Sequence, residues 1–485
     1  MRGSAGPKYG RSEVRRVTAE TSPADRLPGL LAATAMGVYL VLLAGATTAV
    51  TDAAAACAAW PVCGNGWTLP STLSGYVALG HRLVAVGVGL LGIYVAAVGW
   101  RVGSTRVRAA LVLAAALYPL QAALGAVVAT TGSTQTLSAL HLVAGTAIFV
   151  SLVAALAWTL ETETGDPDED PIDSPTPADL PPAADHDPDL PTGPRERLLA
   201  TAAAYYRLMK PRLMWLLCLV AGAAMALAAT TGHPLTPRIV AATLGGGVLS
   251  IGASGTFNHV FERDIDRRMS RTNDRPLATD LVPVRNAVAF GLALAVASLA
   301  LFASVNLLAA FLGLVAIVFY SVVYTLLLKP NTVQNTVIGG AAGALPALIG
   351  WAAVTGTVGL GGLVLATVIF LWTPAHFYNL ALAYKDDYER GGFPMMPVVR
   401  GETETRKHIL WYLGGTLVVA GLLGLMDALG AVYVLTSVAL GGVFLWAVVR
   451  LHYEQTESAA FRAFHASNAY LGCLLLAVVV DAMVV

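Results

Sequence analysis

Long apolar runs separated by short polar stretches make up most of the chain. Four precede residue 161, near Leu30 to Val50, Tyr76 to Trp100, Ala109 to Thr130 and Leu137 to Leu160. Nine follow residue 197, near Leu213 to Thr231, Ile239 to Phe257, Ala287 to Val305, Leu308 to Leu328, Val333 to Val354, Leu360 to Leu382, Ile409 to Met426, Val432 to Val449 and Asn468 to Val485. A run of about 20 residues crosses about 30 Å of hydrocarbon as a helix, which also satisfies its own backbone hydrogen bonds there. The pattern predicts an all-α integral membrane protein, with about four N-terminal transmembrane helices and then a nine-helix bundle. Between them, Glu161 to Gly193 is acidic, rich in proline and almost without large apolar side chains. It cannot bury a core, so the sequence predicts a four-helix domain at 1–160, a disordered linker at 161–197 and a second domain at 198–485.

Composition agrees: of 485 residues, 56% are hydrophobic and only 12% charged, which excludes an ordinary soluble fold. The net charge of zero says nothing about partners, and nothing points to nucleic acid. Charge placement is more informative. Lys8, Arg11, Arg15, Arg16 and Arg26 precede the first apolar run, which is too long for a signal peptide core, so an uncleaved first span is expected with its N-terminus inside. Thirteen spans then place Arg101, Arg106, Arg108, the linker, Lys210, Lys329 and Arg450 on the cytoplasmic side of the cell membrane. The outer loops near Ala229 to Arg238, Thr355 to Gly361 and Asp427 to Gly430 carry little charge.

Two polar motifs fall on that same inner side. Asn258, Glu262 and Asp266 are spaced by four, so a helix continuing past its apolar part would align them on one face. Two carboxylates and an amide there suit Mg²⁺, a hard ion that takes oxygen ligands and shares them with phosphate. Arg263, Arg267, Arg268, Arg271 and Arg275 offer forked donors for phosphate oxygens. The second motif, Tyr384-Lys385-Asp386-Asp387-Tyr388, also ends an apolar helix. Two acidic clusters on separate helices suit one diphosphate held through metal ions.

The pattern from Asn258 to Asp266 followed by Arg271-Thr272 and Arg275-Pro276-Leu277 resembles the first motif of the UbiA superfamily of intramembrane prenyltransferases. Tyr324-Thr325, Trp372-Thr373-Pro374, His376-Phe377, Lys385-Asp386-Asp387-Tyr388 and Pro394 to Pro397 narrow the resemblance to the heme O synthase branch, the protoheme IX farnesyltransferases. The similarity runs from about Tyr205 to Val485. Glu262 stands where many members carry aspartate, and the second motif departs from the common Asp-x-x-x-Asp form. The resemblance implies a UbiA-type bundle and a Mg²⁺-dependent transfer of farnesyl from farnesyl diphosphate to a vinyl group of heme B. It implies Asn258, Glu262, Asp266, Asp386 and Asp387 as metal and catalytic residues, with Lys385 beside them. Arg263, Arg267, Arg271 and Arg275 would bind diphosphate. Tyr320, Tyr324, Trp372, Phe377, Tyr378 and Tyr384 would form an electron-rich wall for the allylic cation, and His376 would face the porphyrin. Prenylation of a quinone precursor or a lipid alcohol is the competing enzyme reading. A heme transporter or assembly factor is the competing class, and it leaves the acidic motifs without a purpose.

In the N-terminal domain, Cys57 and Cys63 share an outer loop where a disulfide can form. His81 and His141 start the second and fourth spans at similar depths, as two axial heme ligands would. Together with Trp60-Pro61, Arg82, Gln121 and Gly125 they resemble one four-helix half of heme A synthase. Ala78 replaces that family's glutamate. The implied roles are heme binding or help to heme A synthase and terminal oxidase assembly, rather than oxidation of heme.

Overall fold

The structure is a computed structural model that describes residues 23–50, 57, 59–63, 69–132, 134–177, 179, 193–426 and 428–484. The basic residues Lys8 to Arg16, most of the second half of the acidic stretch and Asp427 lie outside the described residues.

The N-terminal domain is four antiparallel helices: α1 (Pro23–Val50), α2 (Leu73–Val102), α3 (Thr105–Thr131) and α4 (Gln135–Thr164). Thr72, Ser104 and Thr134 each accept a hydrogen bond from the third backbone N–H of the following helix, which fixes where α2, α3 and α4 begin. The second domain opens with α5 (Pro194–Leu208), then α6 (Pro211–Ala229), α7 (Pro237–Phe261) and a single turn, α8 (Arg263–Asp266). Proline at the first helical position starts α6 and α7, where its missing N–H costs nothing. There follow α9 (Val284–Ala303), α10 (Leu307–Val318), which runs on as a π-helix over Phe319–Leu328, α11 (Asn335–Thr355) and α12 (Leu360–Ala383). Short α13 (Lys385–Arg390) and α14 (Met396–Val399) precede α15 (Glu402–Leu423), α16 (Ala431–Glu454) and α17 (Glu457–Val484).

Among the described residues twelve helices are long and apolar enough to cross a membrane, and the chain is a multi-pass membrane protein. The sequence predicts thirteen spans; the one at Ile409 to Met426 falls largely in α15 (Glu402–Leu423), which is not among the twelve because it begins in the charged run Glu402 to His408. Small residues set the close crossings: a Cβ on Gly350 of α11 would collide with the Ala221 carbonyl of α6, and one on Gly414 of α15 would stand 2.9 Å from Val153 of α4.

That last contact shows that the two domains do not merely share a chain. Leu31, Tyr39, Phe149 and Leu156 belong to the same buried core as Leu413, Leu417, Tyr433 and Tyr470. The Tyr39 hydroxyl hydrogen-bonds Ser437 across the seam at 2.7 Å.

The linker also differs from the expected solvated spacer. Residues 161–164 extend α4, residues 194–197 begin α5, and residues 166–177 form a strap held on the second domain. The Ile172 N–H bonds the Val399 carbonyl at 3.0 Å, and Lys407 pairs with Glu161 at 2.8 Å. Backbone bonds and carboxylates hold this segment, so it needs no apolar core of its own.

Candidate functional site

The helix carrying Asn258 does not run unbroken through Asp266. At Glu262 the backbone leaves the helical region (φ −96°, ψ 5°), ending α7 and starting α8. The i to i−4 bonds nevertheless continue: Glu262 N–H to Asn258 carbonyl at 2.9 Å and Asp266 N–H to Glu262 carbonyl at 2.7 Å. The three side chains therefore keep a common face, and all three are buried.

Each has its own basic partner. Lys210 Nζ donates to Asn258 Oδ1, Lys329 Nζ to Glu262 Oε1 at 2.6 Å, and Arg275 Nη1 to both oxygens of Asp266 at 2.8 and 2.9 Å. Arg275 Nη1 also lies 3.9 Å from Glu262 Oε2, so one cationic nitrogen already sits between the two carboxylates. Burial opposes ionisation of Glu262, but Lys329, Lys210 and Arg275 outweigh it and hold the carboxyl below its usual value. At Asp266 burial prevails over Arg275 and the carboxyl is raised. Burial, with Arg275 and Lys329 close by, pulls the Lys210 ammonium down to about 7 against the attraction of Glu262.

Sequence reasoning did not include Lys210 and Lys329 among the site residues. Lys210 lies 48 positions from Asn258, and Lys329 lies 67 from Glu262 at the end of the π-helix. The available signal for Lys210 was a lysine directly before the proline that opens an apolar helix. Its left-handed backbone (φ 55°) turns it into the site, where it also reaches the Tyr320 hydroxyl at 3.4 Å. The π-helix, invisible to a 3.6-residue pattern, brings Thr325 onto Asn258 Nδ2 at 3.1 Å and sets Tyr320 against Tyr324 at 5.5 Å.

Among the described residues no three His, Cys, Asp or Glu side chains converge as a ready-made metal site. The pair Glu262 and Asp266 still fits a divalent ion, since a cationic nitrogen already rests between them. The remaining ligands would come from Asn258, water or phosphate, as Mg²⁺ prefers.

Several predicted site residues are paired with protein groups in the structure. Arg263 and Arg267 both pair with Asp280 at 2.6 Å and hold the loop that follows α8. The two acidic motifs do meet, but as a latch rather than as facing carboxylates. Asp387 accepts from Ser270 Oγ at 2.6 Å, Ser270 N–H at 3.1 Å, Arg271 N–H at 3.0 Å and from Arg390. These donors occupy both oxygens. Asp386 is exposed, and Lys385 pairs with Glu402 at 3.1 Å. Arg271 lies over the rings of Tyr384 and Tyr388, 5.0 and 5.6 Å from their centroids.

Trp372 and His376 are also placed differently from the expectation. His376 stacks between Trp372 and Phe464, at 4.3 Å from each, and its Nδ1 bonds Ser467 Oγ at 2.7 Å, while Trp372 Nε1 donates to the Ser467 carbonyl at 3.0 Å. They fix α12 to α17 in the core. Tyr378 is likewise buried there, and Phe377 is partly exposed.

A mostly apolar cavity leads away from Lys210 and Tyr320 between α6, α7, α10 and α11. Its lining on α7 runs from Gly255 to Thr243, about 18 Å along the helix axis. Phe302 lies at the deep end, its ring fitted into notches left by Gly246 and Gly313.

In the N-terminal domain Cys57 and Cys63 form a disulfide. Arg82 donates to the carbonyls of Cys57, Ala59 and Val62 at 2.6, 2.7 and 3.0 Å, which ties that loop to α2 next to His81. A Cβ on Gly45 would stand 3.2 Å from His81 Cε1, and one on Gly125 the same distance from His141 Cε1. Both Nδ1 atoms are buried without a hydrogen-bond partner, and His141 Nε2 is 3.4 Å from Gln121 Nε2.

The model of the UbiA prenyltransferase family matches residues 215–471. The protoheme IX farnesyltransferase of Haloquadratum walsbyi is 67% identical over 95% of this chain and 97% of its own. That of Haloarcula marismortui is 67% identical over 94% and 98%. A shorter relative, protoheme IX farnesyltransferase 1 of Saccharopolyspora erythraea, is 46% identical over 63% of this chain and 96% of its own. Among solved structures, a UbiA homolog from Archaeoglobus fulgidus bound to GPP and Mg²⁺ is 17% identical, with a TM-score of 0.44, over 57% of this chain and 99% of that one.

Proposed function

The chain belongs to the UbiA prenyltransferase family, on the branch of the protoheme IX farnesyltransferases, and from that membership we propose that it converts heme B to heme O with farnesyl diphosphate as donor. The observation that carries the reading is the row of Asn258, Glu262 and Asp266, each with its own cation, at the mouth of an apolar cavity. A long apolar chain ending in a diphosphate matches that combination.

In the reaction the bond between farnesyl C1 and the diphosphate oxygen breaks. C1 bonds to the terminal carbon of a heme vinyl group, and water adds to the neighbouring carbon with loss of a proton, leaving a hydroxyethylfarnesyl side chain. Asn258, Glu262 and Asp266 would hold Mg²⁺, which would supply positive charge to the diphosphate. Lys329 and Arg275, now on the carboxylates of Glu262 and Asp266, and Lys210, now on the Asn258 amide oxygen, hold the diphosphate at the cavity mouth. The cavity keeps the prenyl chain dry, while Tyr320 and Tyr324 present ring faces to positive charge developing at C1. Asp387 shapes the loop that carries Arg271, and Arg263 and Arg267 brace it from the other side. The positive-inside rule puts this site on the cytoplasmic face.

We further propose that His81 and His141 bind heme in the N-terminal domain, which would serve heme supply or oxidase assembly. Two notched histidines with open nitrogens support this reading. The deciding experiment supplies membranes carrying the chain with heme B and farnesyl diphosphate and identifies the hemes by mass spectrometry. Heme O that requires Mg²⁺ supports the transferase. Unaltered heme B with the protein inserted removes it and leaves the heme-handling reading.

A further inference from the structure

We infer that the acidic strap at residues 166–177 is a working part of the transferase site, with Glu169 as a positioning residue for the second polar motif. The inference rests on the transferase reading above, through the loop carrying Arg271 that Asp387 of the second motif shapes.

The strap touches the segment carrying that motif at both of its ends. At the far end, both Glu169 oxygens accept backbone N–H groups at the start of α15, Oε1 from Glu402 and Oε2 from Thr403 at 2.9 Å. Those donors have no partner within the helix, and a carboxylate at a helix N-terminus is favoured by the dipole as well. Gly401 makes the approach possible: it has φ +89°, and a Cβ there would collide with the Glu169 carboxyl. The Asp166 N–H adds a bond to Thr403 Oγ1 at 3.1 Å, and the Ile172 N–H bonds Val399. At the near end, Pro177 rests on Gly392, which also has a left-handed backbone (φ +73°) and where a Cβ would stand 2.7 Å from the proline ring. Gly392 lies two residues past Arg390, the residue that closes the Asp387 latch.

Glu402, whose backbone Glu169 caps, is the residue whose side chain holds Lys385 at 3.1 Å, with Arg406 on its other oxygen at 3.6 Å. A route of direct contacts thus runs from Glu169 through Glu402 to Lys385, one position before Asp386 and two before the latch. Without the strap the start of α15 loses its cap, Glu402 is free to shift, and Lys385 and α13 lose their fixed place relative to Arg271. The carboxylates in this stretch therefore do more than keep it hydrated, since one of them is spent on the second motif.

The test uses the full chain in membranes, with steady-state kinetics at varied farnesyl diphosphate and fixed saturating heme B. A wild-type chain that makes no heme O refutes the transferase reading itself, so the two failures are distinguishable. Given wild-type activity, Glu169→Ala is expected to raise KM for farnesyl diphosphate roughly three- to tenfold, the range for a lost charged hydrogen bond partly replaced by water, with KM for heme unchanged. Glu402→Gln is expected to raise the same constant, and the double variant to do no worse than the more affected single one, because both act through Lys385. Glu169→Gln, which keeps the length and one acceptor, is expected to fall between and serves if Glu169→Ala does not insert. A structural role alone lowers the amount of active enzyme and leaves KM untouched. An unchanged KM for farnesyl diphosphate in the Glu169 variants, or effects of Glu169 and Glu402 that multiply, would overturn the proposal.

Discussion

Asp387 decides between two accounts of the second motif, because a metal ligand and a latch respond differently to the same change. In the structure its carboxylate is buried and receives three bonds from the Ser270 to Arg271 loop and one from Arg390. Arg390 is half exposed, so its share is small after screening. The three loop donors, taken at about 1 kcal/mol each after water replaces part of what is lost, sum to about 3 kcal/mol. At about 1.4 kcal/mol per decade that is roughly a hundredfold.

Asp387→Ala is therefore expected to lower heme O formation roughly a hundredfold, and Asp387→Asn, which still accepts one of the three loop bonds, roughly thirtyfold. In both the Mg²⁺ concentration giving half activity should stay where it is in the wild type. Burial opposes ionisation of this carboxyl, but the bonds from Ser270, Arg271 and Arg390 outweigh it and hold it below its usual value. Its contribution is then complete above the unfolded value of about 3.9 and is lost only as pH falls through the lower folded-state value. The deficit should accordingly be flat between about pH 6 and 8. The assay is heme O yield by mass spectrometry across a Mg²⁺ titration. A half-activity point moved tenfold or more upward in Asp387→Asn would make Asp387 a metal ligand and refute the latch.

Glu262→Ala should nearly abolish transfer while the protein still inserts, and Glu262→Asp should be milder, since it keeps the hard oxygen on a shorter arm; equal losses measured by heme O yield would count against a liganding role. Phe302→Ala removes the ring at the deep end of the cavity, so the rate with geranylgeranyl diphosphate relative to farnesyl diphosphate should rise severalfold, read from the mass of the heme product; an unchanged ratio would move the end of the prenyl chain elsewhere. His81→Ala and His141→Ala should each remove a heme absorbance from the full chain while leaving transferase turnover within about twofold, and retention of the spectrum in the double variant would return both residues to packing. A chain starting at Arg195 should still make heme O, but with the raised farnesyl diphosphate KM of Glu169→Ala, because the strap is gone; inactivity despite good insertion would show that the N-terminal helices are needed for the site itself.

How far the sequence could be read depended on how far apart the interacting groups lie. The spans were legible because lipid imposes one length and one backbone solution on each, and the row of Asn258, Glu262 and Asp266 because helical spacing survives even the break at Glu262. The basic partners were not legible: Lys210 and Lys329 come from separate elements, and each looks like an ordinary inside-facing charge until the fold brings it to Asn258 or Glu262. The same distance hides the partners of His376 and Asp387. A histidine between Trp372 and Phe377 reads as a ligand-facing group, yet Ser467, 91 positions away, takes its nitrogen and turns it into packing. An acid at a membrane edge reads as a metal ligand, yet donors 116 and 117 positions earlier fill both its oxygens.

The linker gives the sharpest case, because composition was right about the core and silent about docking. A segment without large apolar residues cannot fold by burial, but it can be held by helix ends that need acceptors, and α15 begins with such donors just after Gly401. The shared core points the same way. Tyr39 on Ser437 and Val153 against Gly414 seat the N-terminal helices directly on α15 and α16, so α15 is contacted along its length by one domain and capped at its start by the strap leading from it. A change in the N-terminal domain, such as heme entering between His81 and His141, therefore has a material path of packed helices toward Glu402 and Lys385. Physical connection gives that path; coupling along it would require that heme binding and farnesyl diphosphate binding change each other's affinity by the same factor.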